Sequence, residues 1–253
     1  MEFIRACNDL AKAVSDAVDG MVGTPEAGEF VKMGADGTPT KLIDQVAEDI
    51  IVDYFRGHLC CRHLISEELG CADMGGEKGT IYLDPVDGTY NAVVGIPYYA
   101  LSIAYAEEGV VQKGYVRNLA TGETFHAIKG KGAFLDGHPI HVSQTALLEE
   151  SAMSIYGRKF DPTRMFEIAR KIRRLRLLGA SALMSGAAAS MGSSTCGGRS
   201  VSPTQQQGCL SAKKRAEWSP IPRGEYLPSP TRLPPGGASS SRTASCTTRS
   251  SST

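Results

Sequence analysis

Phe3, Ile4, Cys7, Leu10, Ala11, Val14, Ala17 and Val18 fall on one face of a 3.6-residue repeat, so their spacing predicts an amphipathic helix from Phe3 to Met21. A Gly- and Pro-rich stretch follows and ends in Met33-Gly34-Ala35-Asp36-Gly37-Thr38-Pro39-Thr40, which reads as a loop. Leu42, Ile43, Val46, Ala47, Ile50, Ile51, Tyr54 and Phe55 then repeat the helical period and predict a second helix from about Thr40 to Arg56. The short apolar runs Leu64-Ile65-Ser66 and Ile81-Tyr82-Leu83 read as buried strands with acids at their C-terminal ends. From Tyr98 to Val142 the pattern alternates and is punctuated by Gly-containing turns, as in an antiparallel meander of hairpins. A further amphipathic helix is predicted over Thr163–Arg174, with a strand at Leu175–Leu178. Helices, a strand-rich middle and further mixed elements make a layered α/β (α+β) sandwich.

Composition changes this picture at one place. The 253 residues carry 27 basic and 27 acidic side chains, yet positions 1–183 sum to −6 and positions 184–253 to +6. Those last 70 residues hold 16 Ser and 7 of the 13 Pro, with Trp218 and Tyr226 as their aromatics. Too little apolar surface is present there to offset chain entropy, so the segment reads as disordered. The start has no basic region followed by an apolar run, and no window is apolar enough to span a bilayer. A soluble cytoplasmic protein with reduced thiols is expected. Cys60, Cys61, His63 and Cys71 match no zinc-ligand spacing, and free thiols are the simpler reading.

Carboxylates at strand ends carry the chemistry: Glu67 and Glu68, then Asp84 and Asp87 in Leu83-Asp84-Pro85-Val86-Asp87-Gly88-Thr89. Pro85 is expected to turn the chain out of its strand so that Asp84 and Asp87 converge. Two carboxylates about 5 Å apart repel by roughly 3 kcal/mol at an effective dielectric of 20, and Glu67 adds to this. A divalent cation relieves the repulsion, and all-oxygen ligation suits Mg²⁺ or Mn²⁺. Gly88 would let backbone approach a ligand, while Thr89-Tyr90-Asn91 could open a helix or turn whose N–H groups face an anion. Metal beside an anion cradle implies a phosphate ester. The alternative is an Asp-Pro turn followed by an Asp-Gly-Thr turn with no ligand.

Ile65-Ser66-Glu67-Glu68 followed by Asp84-Pro85-Val86-Asp87-Gly88-Thr89-Tyr90-Asn91 closely resembles the Mg²⁺-dependent inositol monophosphatase superfamily. Gly34 to Thr40 and Ile43-Asp44 are most similar to its archaeal branch, which hydrolyses fructose 1,6-bisphosphate as well as inositol monophosphate. The motifs run from the first helix to about Leu183. The resemblance implies an αβαβα sandwich of the sugar phosphatase type, with a phosphatase domain over 1–183, and a homodimer if the reading frame is intact. It also implies two or three Mg²⁺ ions held by Glu67, Asp84, Asp87 and the Val86 carbonyl. Asp44 and Thr89 would position and deprotonate the attacking water, and the Gly88 and Thr89 amides would bind phosphate. Glu68 is expected outside the metal's ligand set.

Beyond Leu183 the family pattern stops, and the genetic code offers a reason. In a slipped frame, the first two bases of a visible codon are the last two of the intended one. Ser190 to Cys196 can then encode Ile-Asp-Gly-Phe-Val-Asp-Val, and Val201 to Cys209 can encode Arg-Val-Thr-Asp-Ala-Ala-Ala-Gly-Met. Both resemble later family segments, with Thr204 standing for a missing metal-site aspartate. Residues 184–253 therefore read as an out-of-frame tail that costs the sandwich its C-terminal α/β half and impairs the chain as it stands.

The function expected is hydrolysis of a small phosphorylated sugar or polyol by metal-activated water, with no membrane or nucleic-acid partner. A 3′-phosphonucleotide phosphatase of the same superfamily is the alternative within the class. Outside it stands a non-catalytic protein whose basic tail binds a partner, although no aromatic stacking platform accompanies that charge.

Overall fold

A computed structural model describes residues 2–58, 60–154, 162–183 and 185. Two helices, α1 (Glu2–Val18) and α2 (Leu42–His58), flank a small hairpin of β1 (Phe30–Met33) and β2 (Pro39–Lys41). Then come β3 (His63–Ser66), β4 (Gly70–Asp73), β5 (Thr80–Asp87), the short α3 (Thr89–Val93) and five further strands. These are β6 (Ala100–Glu107), β7 (Val110–Asn118), β8 (Thr124–Ile128), β9 (Gly132–Leu135) and β10 (His138–Ile140). Strands β3 to β10 form one eight-stranded sheet in the order β10-β9-β8-β7-β6-β5-β3-β4, antiparallel except between β3 and β5. The last described elements are β11 (Ala152–Ser154), α4 (Pro162–Ala169) and β12 (Arg174–Arg176).

Alternation along the strands builds the core on two faces. Leu101, Ile103 and Tyr115 point toward Cys7, Leu10 and Val14 of α1 and Ile43, Ala47, Ile51 and Phe55 of α2. Ala100, Val116 and Phe125 point the other way, against Ala180, Ala182 and Leu183. Both amphipathic helices and the meander match their apolar periods. Two of its turns, Glu108-Gly109 and Asp136-Gly137, have positive φ at both central residues, the conformation that matches strand twist in a tight hairpin. Among the described residues no helix is long and apolar enough to cross a membrane.

Three sequence expectations need correction. The 33–40 loop is part of the β1–β2 hairpin, closed by the Gly34 amide donating to the Thr38 carbonyl at 2.7 Å. The helix expected to reach Arg174 ends at Ala169, because the Arg173 and Arg174 amides instead donate to the Ser151 carbonyl and lead into β12, which pairs in parallel with β11. Pro85 does not turn the chain out of β5; the strand runs through it to Asp87. Asp84 lies opposite Ser102 and Asp87 opposite Ala100, so three steps on β5 face two on β6. This bulge accommodates a residue without an N–H. It also turns Asp84 and Asp87 to one face, which residues three apart in a regular strand would not share. Apart from Ser185, the segment from Met184 to Thr253 lies outside the described residues.

Candidate active site

The bulge ends where α3 begins, and the joint is Gly88. Its φ of +95° is left-handed, and a Cβ there would stand 3.0 Å from both the Ala180 Cβ and the Tyr98 carbonyl oxygen. Close packing therefore demands glycine at this position. In α3 the Asn91 and Ala92 amides close onto the Gly88 carbonyl, so the amides ahead of them have no acceptor within the helix.

Asp44 enters from α2. Its Oδ2 accepts the Lys41 amide at 3.2 Å, an acid in the first turn reaching back to the residue before the helix. Its Oδ1 faces the Thr89 hydroxyl at 2.9 Å. The same hydroxyl stands 3.1 Å from the Val86 carbonyl oxygen, and with one hydrogen it donates to one of the two at a time. Asp44 is 3% exposed. Burial pushes its carboxyl up to about 7, helped by the fields of Glu68 and Glu67 and opposed by the Thr89 hydrogen bond.

Asp87 is also buried, and its oxygens accept the Ser181 amide at 3.1 Å and the Ala182 amide at 2.6 Å. Burial raises its pKa to about 6 and Glu67 adds to the rise, while these amides pull it down. Glu68 is raised by burial, then by Glu67, Asp36 and Glu48, and the Thr40 hydroxyl that donates to it opposes the shift. The Ala35 and Asp36 amides donate to the Glu68 and Glu67 carbonyls, which clamps the β1–β2 turn onto these two glutamates.

The expected residues are thus brought together in part. Asp44, Thr89 and Val86 meet directly, and Asp87 and Glu67 share one electrostatic environment. Lys129 to Lys131 form the β8–β9 turn. Among the described residues, no three His, Cys, Asp or Glu side chains stand as a ready-made metal cluster. The donor set nevertheless fits a hard divalent cation. It is all oxygen, the field of Glu67 raises the pKa of both Asp44 and Asp87, and a carboxylate oxygen that accepts one amide keeps a lone pair for another partner.

Two buried residues have partners that motif reading did not reach. Glu48 lies one turn beyond Asp44, accepts from the Ser66 hydroxyl and from the Leu69 amide at 2.9 Å, and forms an ion pair with Lys32 at 3.7 Å. Its sequence signal is an acid on the apolar stripe beside Ala47 and Ile51. Asn91 donates through Nδ2 to the Tyr98 and Leu178 carbonyls, each at 2.7 Å, which pins residues 178–180 over α3. Asn91→Ala strands both carbonyls and is expected to cost roughly 2 kcal/mol in urea denaturation.

The inositol monophosphatase family model matches residues 2–198, reaching past the Leu183 at which the motifs end. The chain belongs to the inositol monophosphatase family. A fructose-1,6-bisphosphatase/inositol-1-monophosphatase of Methanothermobacter thermautotrophicus is 45% identical over 189 residues, covering 69% of this chain and 67% of the relative. A bifunctional NADP phosphatase/NAD kinase of Methanococcus maripaludis is 36% identical over 206 residues, covering 72% of this chain but 36% of that protein. Among solved structures, an inositol monophosphatase–fructose 1,6-bisphosphatase superposes with a TM-score of 0.69 at 25% identity, covering 85% of this chain and 84% of the other. A Pyrococcus horikoshii protein with similarities to inositol-1 monophosphatase gives 0.62 at 30% identity, covering 73% and 68%. The layered α/β sandwich is therefore the inositol monophosphatase fold.

Proposed function

We propose that this family member is a Mg²⁺-dependent phosphomonoesterase acting on fructose 1,6-bisphosphate, an inositol monophosphate, or both. The observation that carries the reading is the Asp44–Thr89 pair, set against the Val86 carbonyl next to the buried Asp87. Glu67, Asp84, Asp87 and the Val86 carbonyl would hold the cation. When bound, it supplies Lewis acidity toward water and phosphoryl oxygen and offsets charge on the transferring group.

The chain's own residues do the rest. Asp44, poised near neutrality, accepts a proton through the Thr89 hydroxyl, which can pass one hydrogen on while receiving another. The Gly88 and Thr89 amides offer donors to phosphate, and no covalent phosphoenzyme is required. NADP belongs in the same substrate panel because two relatives are bifunctional NADP phosphatase/NAD kinases. A 3′-phosphonucleotide completes it.

Phosphate release from these substrates is to be measured with Mg²⁺ and with chelator, on the chain as it stands and on the chain re-read in the neighbouring frame. Release that requires Mg²⁺ and vanishes in Asp87→Asn is the expected result; release that survives chelation overturns the reading. The acids also give a pH test. Asp44 and Asp87 bind protons more tightly folded than unfolded, so metal-free stability is expected to fall as pH rises from about 4 to about 7. Mg²⁺ competes with those protons, so thermal melts should show it raising Tm more at pH 7.5 than at pH 5.

A further inference from the structure

Near the end of the described residues, large apolar side chains face solvent on neighbouring elements: Phe166 at 64% and Ile168 at 38% exposure on α4, and Leu177 at 58% just after β12. Phe166 and Ile168 lie about 200° apart around the helix, so α4 exposes apolar groups in two directions. A helix apolar on more than one side is one that is covered on more than one side. At the same end of the described chain, β11 and β12 form a two-stranded parallel sheet, with no third strand among the described residues. Parallel strands are normally buried on both faces, and a lone pair is marginal. The core does not run out here either, since Ala180, Ala182 and Leu183 are already buried against β6, β7 and β8. These exposed groups call for apolar cover. The written residues 184–253, Ser- and Pro-rich and net +6, have little to offer them.

The neighbouring frame does. When a gene loses one base, each later codon consists of the last two bases of one intended codon and the first base of the next. The intended codon is then recovered by placing the third base of the preceding visible codon before the first two bases of the visible one. Serine written as TCN becomes NTC, which is Val, Ile, Leu or Phe, so the residue type that dominates the tail turns apolar. Met191 is ATG, and its last base allows one outcome for Gly192, GGG, again glycine. Glycine is the residue that the sequence Ile-Asp-Gly-Phe requires at that place. The Methanothermobacter relative is matched over 67% of its length, so about a third of it has no counterpart in the written chain.

We infer that the gene has lost one base, or gained two, between codons 183 and 190, and that the segment encoded by the restored frame is the cover over Phe166, Ile168 and Leu177. The readouts below do not include activity, so the inference fails or stands apart from the phosphatase reading.

One base is inserted between codons 183 and 190, and the two full chains are compared with a fluorescent dye that binds exposed apolar surface and by thermal melting. The restored chain is expected to bind roughly threefold less dye or lower and to melt in a single cooperative transition. Leu177→Ser is expected to lower its Tm by roughly 5 °C, while leaving the melt of the chain as it stands unchanged. Equal dye binding in the two chains, or indifference of the restored chain to Leu177→Ser, overturns the inference.

Discussion

Asp44→Asn is expected to lower kcat for phosphate release by roughly 10² to 10⁴, measured on the frame-restored chain with saturating Mg²⁺. Asparagine keeps the size of the side chain, and its carbonyl oxygen can still accept the Lys41 amide at the start of α2. What it lacks is the capacity to take up a proton, and its NH₂ would donate toward Thr89 where the carboxylate accepts. The fold should survive. Removing a carboxylate that burial holds near 7 should leave the metal-free chain as stable at neutral pH as the parent, or more so, because the cost of ionising a buried acid is relieved. Thermal melts beside the kinetics separate the two effects. Activity within about twofold of the parent would remove Asp44 from the proton path.

Gly88→Ala should act in the opposite manner, through structure first. The added Cβ meets the Ala180 Cβ and the Tyr98 carbonyl oxygen at 3.0 Å, and the backbone sits at φ +95°, where an L-residue is strained. A loss of roughly 2 to 4 kcal/mol in denaturant unfolding is expected. A glycine serving ligand approach alone would tolerate alanine with unchanged stability, so the same measurement tells the two roles apart.

The sequence displays its helices and meander because burial there follows a local period. Cys7, Leu10 and Val14, like Ile43, Ala47 and Ile51, lie on stripes that any window reveals. The β1–β2 hairpin is illegible by the same measure, because Phe30, Val31 and Met33 are exposed and Gly34 and Pro39 look like loop punctuation. The bulge at Pro85 depends on which residues of β6 stand opposite, a fact absent from residues 80–87 alone. At the site, the Asp84 to Asn91 motif names the acids. It cannot show that Asp44, 45 positions before Thr89, shares a hydrogen bond with it, nor that Asn91 reaches Leu178. Residue type is local information, whereas the partners of a buried polar group are chosen by the whole fold.

Those long reaches set an order of events during synthesis. Asp87 is held by amides at 181 and 182, and Asn91 by a carbonyl at 178, so neither is anchored until roughly ninety further residues have left the ribosome. The sheet from β3 to β10 can form before then, since its neighbours are mostly successive in the chain. A nascent chain thus passes through a stage with a complete sheet and an unlatched site, and Asp87 takes its final place only when the strand-to-helix segment at 178–182 arrives.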